Sequence, residues 1–250
     1  MRVGFVGLGK MGRPMASHLV KAGFALTVHS RSRGPVDELV RLGAAAADSP
    51  GAVAEATDVV LTCLPTPAIV EQVFLGEKGI VPATRSGQIL IDHSTVGPAT
   101  SRRIAAAAQE RGADFLDAPV SGGVVGAQNA TLTMMIGGDA ATLERALPVL
   151  QAMGKNIKRV GDNGQGSVVK LVNQLLVAIH VAAAVEGVVL GVKAGADPRV
   201  IHEVIGTSFG ASAMLNRTIP MMVDRNFVAG TSIALLLKDL GLIGDVAGEL

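Results

Sequence analysis

The sequence predicts an α/β chain, a doubly wound parallel sheet followed by an all-α domain that one long helix opens. Three observations carry that expectation. Short apolar runs alternate with amphipathic stretches through the first two thirds of the chain, a turn-rich stretch follows, and beyond it the strand signal stops.

The strand candidates are Arg2–Val6, Ala25–His29, Val59–Cys63, Gln88–Asp92, Asp114–Leu116 and Leu132–Ile136. They are short and apolar, as buried parallel strands are. Helical stretches at Met11–Ala22, Ala68–Phe74, Ala99–Arg111 and Ala140–Met153 lie between most of them and supply the crossovers. The turn formers Asp162-Asn163-Gly164-Gln165-Gly166 close this part, so residues 1–162 are expected as one domain and 163–250 as a helical second. Val168–Ala196 opens the second domain and is long enough to raise a membrane-spanning reading. Lys170, Asn173, Gln174, His180, Glu186 and Lys193 recur through it, which favours a buried or interfacial helix of a soluble protein. Ala182, Ala183, Ala184, Gly187 and Gly191 permit close helix packing, so a subunit interface in a homo-oligomer is expected there.

Composition excludes several classes. The 250 residues are 49% hydrophobic and 17% charged, enough to bury one large core or two modest ones. Lys and Arg total 22 against 21 Asp and Glu, a balance that favours neither nucleic acid nor an anionic membrane; a small molecule is the expected partner. The single cysteine, Cys63, sits in an apolar run and reads as a buried thiol in a reducing, cytoplasmic setting. The N-terminus has only Arg2 as a basic residue and is broken by Gly4, Gly7 and Gly9, unlike a signal peptide. The five histidines form no HxxxH or HExxH pair and no CxxC occurs, so no metal site is expected.

Gly7-Leu8-Gly9-Lys10-Met11-Gly12 is a GxGxxG loop placed directly after a strand and before a helix, the context in which a dinucleotide's pyrophosphate is held. Gly7 permits the tight turn, Gly9 lets the backbone approach the phosphates, and Gly12 lets the helix pack close. Backbone N–H groups and the positive helix end face the anion. The first domain is therefore expected to be Rossmann-type. The second strand ends in Ser30-Arg31-Ser32-Arg33, with no acidic residue to take the ribose hydroxyls. Ser30, Arg31 and Arg33 suit a 2′-phosphate, so NADP(H) is the expected cofactor and NAD(H) the alternative, should the arginines form only a solvated loop.

Two further segments carry chemistry. Asp117-Ala118-Pro119-Val120-Ser121-Gly122-Gly123 follows a strand at the sheet's far end and reads either as a plain turn or as a seat for a small anion, with Ser121, Gly122 and Gly123 as donors. Gly166, Lys170 and Asn173 fall at i, i+4 and i+7 on one helix face. Gly166 is expected to leave room beside Lys170. Burial among Val168, Val169, Leu171 and Val172 would lower the lysine's pKa toward that of a proton donor, although most such lysines snorkel to solvent.

Together, GLGKMG at 7–12, LP at 64–65, DHST at 92–95, DAPVSGG at 117–123, GxxxKLxN at 166–173 and KDLGL at 238–242 resemble the β-hydroxyacid dehydrogenase family, most of all its 3-hydroxyisobutyrate dehydrogenase-like branch. The resemblance implies hydride exchange between NADP(H) or NAD(H) and a small 3-hydroxy acid or its semialdehyde, with Lys170 as acid/base. It implies that Ser121, Gly122, Gly123 and Asn173 bind the substrate, and that Leu64, Pro65, Thr95 and Lys238 line the nicotinamide or ribose. A dimer or tetramer is expected. Imine reduction on the same fold and a non-catalytic dinucleotide-binding module are the alternatives. Two departures stand out: Gln174 follows Asn173 where the family commonly has a second asparagine, and the chain stops at Leu250, short of the family's usual end.

Overall fold

A computed structural model describes residues 1–227 and 232–250. By packing density the chain divides into two compact units, residues 1–171 with 244–250, and residues 172–243.

The first unit runs β1 (Arg2–Val6), α1 (Gly12–Lys21), β2 (Ala25–His29), α2 (Arg33–Arg41), β3 (Ala45–Ala46), α3 (Pro50–Ala56), β4 (Val59–Thr62), α4 (Pro67–Leu75) and α5 (Ile80–Ala83). It continues through β5 (Ile89–Asp92), α6 (Pro98–Glu110), β6 (Asp114–Asp117), β7 (Val120–Ser121), α7 (Gly123–Gln128), β8 (Leu132–Gly137), α8 (Ala140–Gln151) and β9 (Gly154–Gly161). The long helix α9 (Gln165–Lys193) then begins. Local chemistry sets several starts. Pro50 and Pro67 open α3 and α4 where no intrahelical N–H is needed, and Ser49 and Thr66 cap them by accepting from Ala52 N and Ile69 N at 3.1 and 3.4 Å.

The sheet is ordered β3-β2-β1-β4-β5-β6, with all of these neighbours parallel, so the strand order reverses between β1 and β4. Register aligns His29, Val6, Thr62, Asp92 and Asp117 across the carboxyl ends of five strands, the edge where open α/β sheets place ligands. Beyond β6 the otherwise parallel sheet becomes mixed, because β8 runs antiparallel to β6 and β7. The cause is connection length. Only Ala118-Pro119 separates β6 from β7, too little chain for a crossover, and the strand returning after α7 pairs antiparallel. Among the described residues, β9 pairs only with β8, in parallel and with two register shifts.

Alternate residues of each central strand feed opposite faces. Ile89 and Ile91 of β5 join Phe5, Met15, Leu19 and Leu61 on one side of the sheet, while Leu90 joins Val6, Val70, Phe74 and Ile104 on the other.

The second unit holds most of α9 with α10 (Pro198–Ile205), α11 (Ala213–Val223) and α12 (Ile233–Gly248), the last ending in the first unit's residues. Its buried apolar cluster is small: Ala184, Val188, Leu215 and Ile219. Of the two expected settings of α9, buried or interfacial, this single chain does not bury it. An 18-residue window of mean hydropathy 2.3 is only 11% buried, and by length and composition the helix could cross a membrane. Val172, Leu176, Ile179 and Leu190 remain exposed because the short helices after α9 cover only part of its circumference.

Candidate active site

The glycine loop has the geometry its sequence requires. Gly7 has φ +97°, and a Cβ there would lie 2.5 Å from the Cys63 carbonyl oxygen; a Cβ on Gly12 would lie 2.0 Å from the Gly7 carbonyl oxygen. Gly9 instead meets nothing within 4 Å. Gly9 is exposed and the space beside its Cα is open, which leaves room for a pyrophosphate to approach the loop, and the loop fits a dinucleotide. Leu8 is buried beneath the loop and Met11 packs partly against the core, whereas Lys10 is exposed and lines a groove of about 310 Å³ with Arg13, His18 and Gln128.

Two contacts mark the end of β2. Ser30 Oγ accepts from Leu8 N at 3.4 Å, so Ser30 also braces the glycine loop. Arg33 does not lie in a loop: it opens α2, and its Nε donates to Asp37 Oδ1, four residues on, at 2.7 Å. Such an exposed helical pair is worth only about 0.3–0.5 kcal/mol, so a phosphate can compete for the guanidinium. Arg31 is exposed just beyond β2.

Between these features and the substrate motifs lies a buried polar network that the sequence reading left without a role. Asp92 Oδ1 accepts from Thr62 Oγ1 at 2.6 Å and from Ser94 N and Oγ at 3.0 and 2.5 Å; Ser94 Oγ in turn accepts from Leu64 N at 2.9 Å. The network fixes the turn at Leu64-Pro65 and the stretch that carries Thr95. Burial pushes the Asp92 carboxyl up, and the donors from Ser94 and Thr62 pull it back. His93 Nδ1 donates to the Ala118 carbonyl at 2.8 Å, and burial lowers its pKa to about 4, so the ring is neutral. Cys63 follows β4, and burial pushes its thiol up to about 12. The legible signal for Asp92 was a carboxylate closing the apolar run Ile89-Leu90-Ile91, which burial obliges to find donors.

Asp117 ends β6, and Ser121 ends β7. Gly122 and Gly123 follow at φ +125° and +60°, conformations that favour glycine, and both are exposed at the start of α7. Lys170 is buried, only 7% exposed, on the second turn of α9. Gly166 plays a different part from the one expected. A Cβ there would fall 2.4 Å from the Met135 carbonyl oxygen and 2.6 Å from that of Asp117, so this glycine lets α9 approach the sheet rather than making room beside Lys170.

Within the second unit, the remaining two motifs meet. Asn173 Nδ2 donates to Gln174 Oε1 at 2.9 Å, and Gln174 Nε2 donates to the buried Asp239 Oδ2. Lys238 Nζ lies 2.8 Å from Asp239 Oδ1, a charge contact rather than a directed hydrogen bond. The longer amide of Gln174, which departs from the family pattern, is the piece that bridges α9 to α12.

Residues 2–161 match the family described as the NAD binding domain of 6-phosphogluconate dehydrogenase, and residues 164–250 match the family described as NAD-binding of NADP-dependent 3-hydroxyisobutyrate dehydrogenase. The chain belongs to the β-hydroxyacid dehydrogenase family. It is 42% identical over 243 residues to 2-hydroxy-3-oxopropionate reductase of Escherichia coli, covering 97% of this chain and 82% of that one. The structure of Mycobacterium tuberculosis 3-hydroxyisobutyrate dehydrogenase with L-serine is 34% identical, with a TM-score of 0.91 over 100% of this chain and 88% of that one. An imine reductase from Pseudomonas sp., 22% identical with a TM-score of 0.66 over 90% and 73% of the two chains, shares the fold alone. As a β-hydroxyacid dehydrogenase the chain is an NAD(P)-dependent oxidoreductase of hydroxy acids, built as a Rossmann-type unit followed by helices.

Proposed function

We propose that this β-hydroxyacid dehydrogenase prefers NADP(H) and interconverts a small 3-hydroxy acid with its semialdehyde, using Lys170 as acid/base. The observation that carries the reading is a buried lysine on the second turn of α9, three residues beyond a turn anchored to the sheet. The relatives' names point to one substrate pattern, a carboxylate with an oxygen on the carbon two bonds away. Ser121 with the N–H groups at Gly122 and Gly123 takes the carboxylate. Bound NADPH supplies the hydride. As hydride reaches the carbonyl carbon, the Lys170 ammonium gives a proton to the developing alkoxide; oxidation reverses both transfers.

Gly7, Leu8, Gly9, Lys10, Met11 and Gly12 hold the pyrophosphate, Arg31 and Arg33 with Ser30 take the 2′-phosphate, and Leu64, Pro65 and Thr95 line the nicotinamide or ribose. Asn173 and Lys238 keep the substrate and ribose roles that their motifs carry. Residues 1–162 form the cofactor domain and 163–250 the substrate and subunit domain. A second copy of the chain covers the exposed apolar side of α9 in a soluble, cytoplasmic dimer or tetramer.

The test follows NADPH consumption with a panel of short semialdehydes and glyoxylate, wild type beside Lys170→Ala. A loss of roughly 10²–10⁴ in kcat on the best substrate is expected. Equal turnover by both proteins removes the lysine assignment.

A further inference from the structure

We propose that Asp117, seconded by Ser101, is a positioning residue for Lys170: it clamps the first turn of α9 and thereby sets where the lysine stands. The proposal rests on the acid/base reading of Lys170. Asp117 is 1% exposed and spends its carboxylate on the helix start, with Oδ1 accepting from Gly164 N at 2.7 Å and Oδ2 from Ser167 N at 2.9 Å. A carboxylate at a helix N-terminus meets both unpaired N–H groups and the positive end of the helix dipole.

The surroundings are shaped to this contact. A Cβ on Gly137 would stand 2.4 Å from Asp117 Oδ1, and one on Gly166 would stand 2.8 Å from Oδ2. Gly164 adopts φ +93°, which turns its N–H into the clamp. The same turn is held a second time, because Ser167 Oγ and Ser101 Oγ are hydrogen bonded at 2.9 Å in full burial. Lys170 follows Ser167 by three residues, about 4.5 Å along the helix axis.

One short segment therefore controls two ends of the reaction. Asp117 fixes the helix that bears the proton donor, and Ser121-Gly122-Gly123, a few residues on, offer donors to the substrate carboxylate. A carboxylate needed only for folding would have no reason to affect turnover through Lys170. A positioning carboxylate changes kcat, because a misplaced donor costs rate even when cofactor and substrate still bind.

The experiment is a kinetic cycle on the full chain with NADPH and the best semialdehyde of the panel: wild type, Asp117→Asn, Lys170→Ala and the double variant. Asp117→Asn keeps the shape and one acceptor while replacing the other with a donor. Its kcat is expected to fall about 10–100-fold with the KM for NADPH changed less than about threefold, and the double variant should be no slower than Lys170→Ala alone. Full additivity in the double variant, or an unchanged kcat in Asp117→Asn, overturns the positioning role while leaving Lys170 standing. An unchanged kcat in Lys170→Ala overturns the acid/base reading and this proposal with it. Ser101→Ala cuts the second tether and decides the matter should Asp117→Asn fail to fold. It must then lower kcat about threefold, non-additively with Lys170→Ala, and a wild-type kcat overturns the proposal.

Discussion

The two units of this chain solve burial in opposite ways. In the α/β unit even deeply buried polar groups such as Asp92, Ser94, Ser101 and Asp117 have partners, and large apolar side chains are mostly enclosed. In the helical unit the enclosed apolar cluster is four residues, while Ile179, Leu190, Val204, Ile233 and Leu237 stand open to solvent. The first unit encloses most of its apolar side chains, and the second leaves many of its own exposed.

The comparison breaks first at the glycine loop, where the expected effect is largest. Gly12→Ala places a methyl 2.0 Å from the Gly7 carbonyl oxygen, so the α/β unit should lose about 3 kcal/mol or more in urea unfolding. A variant with wild-type stability would mean that the loop yields freely and that this unit is less tightly determined than its contacts imply.

His93 gives the next effect, and its sign is fixed by the direction of the pKa change. The native ring protonates only near pH 4, whereas an unfolded chain protonates it near 6.5. Between those values the unfolded state holds more protons, so stability present at neutral pH is lost as pH falls from 6.5 to 4, by about 3 kcal/mol. Asp92 and Asp117 are displaced upward by burial and act in the opposite sense. Comparing wild type with His93→Asn at each pH cancels them, because the amide can still donate to Ala118 but does not titrate. The gap between the two stability curves should change only in that window, staying constant above pH 6.5 and below pH 4.

The helical unit is probed by Leu190→Gln with Leu237→Gln, two positions that are 71% and 62% exposed. Subunit association measured by sedimentation should weaken by about 1.5–3 kcal/mol for each side chain that the second copy buries. An unaltered association constant would place the interface elsewhere. The smallest effect belongs to β2's end. Arg31→Ala should raise the KM for NADPH relative to NADH about tenfold, and Arg33→Ala somewhat less, because Arg33 shares its charge with Asp37.

Sequence alone located what is local and periodic. Val59–Thr62 and Ile89–Asp92 announce themselves as apolar runs, and each expected helix of the sheet region was found within about two residues at either end. It missed what lacks such a pattern. Ala45–Ala46 is too short to show alternation, and half of Gly154–Gly161 is polar and exposed without regular alternation, so neither reads as a strand. Helix α2 begins Arg33-Gly34-Pro35, which resembles a loop until Val36 and Leu39 are seen to be buried. The site divides in the same way. Gly7, Gly9 and Gly12 belong to one loop and could be assigned jobs, whereas the bonds from Gly164 and Ser167 to Asp117 join residues 47 and 50 apart in sequence. Spacing within a motif says nothing about such a pair until the fold closes it.

The outermost strands also shape how the molecule behaves in a crowded solution. An open sheet offers its unpaired backbone to any other strand, and that invitation is withdrawn here at both ends. At one end β3 is two residues long, giving an incoming strand almost nothing to grip. At the other, β9 is longer but carries Lys155, Lys158 and Arg159 and bears register shifts against β8, so a second sheet would meet like charges and a bent template. Aggregation through the sheet is opposed by brevity on one side and by repulsion on the other.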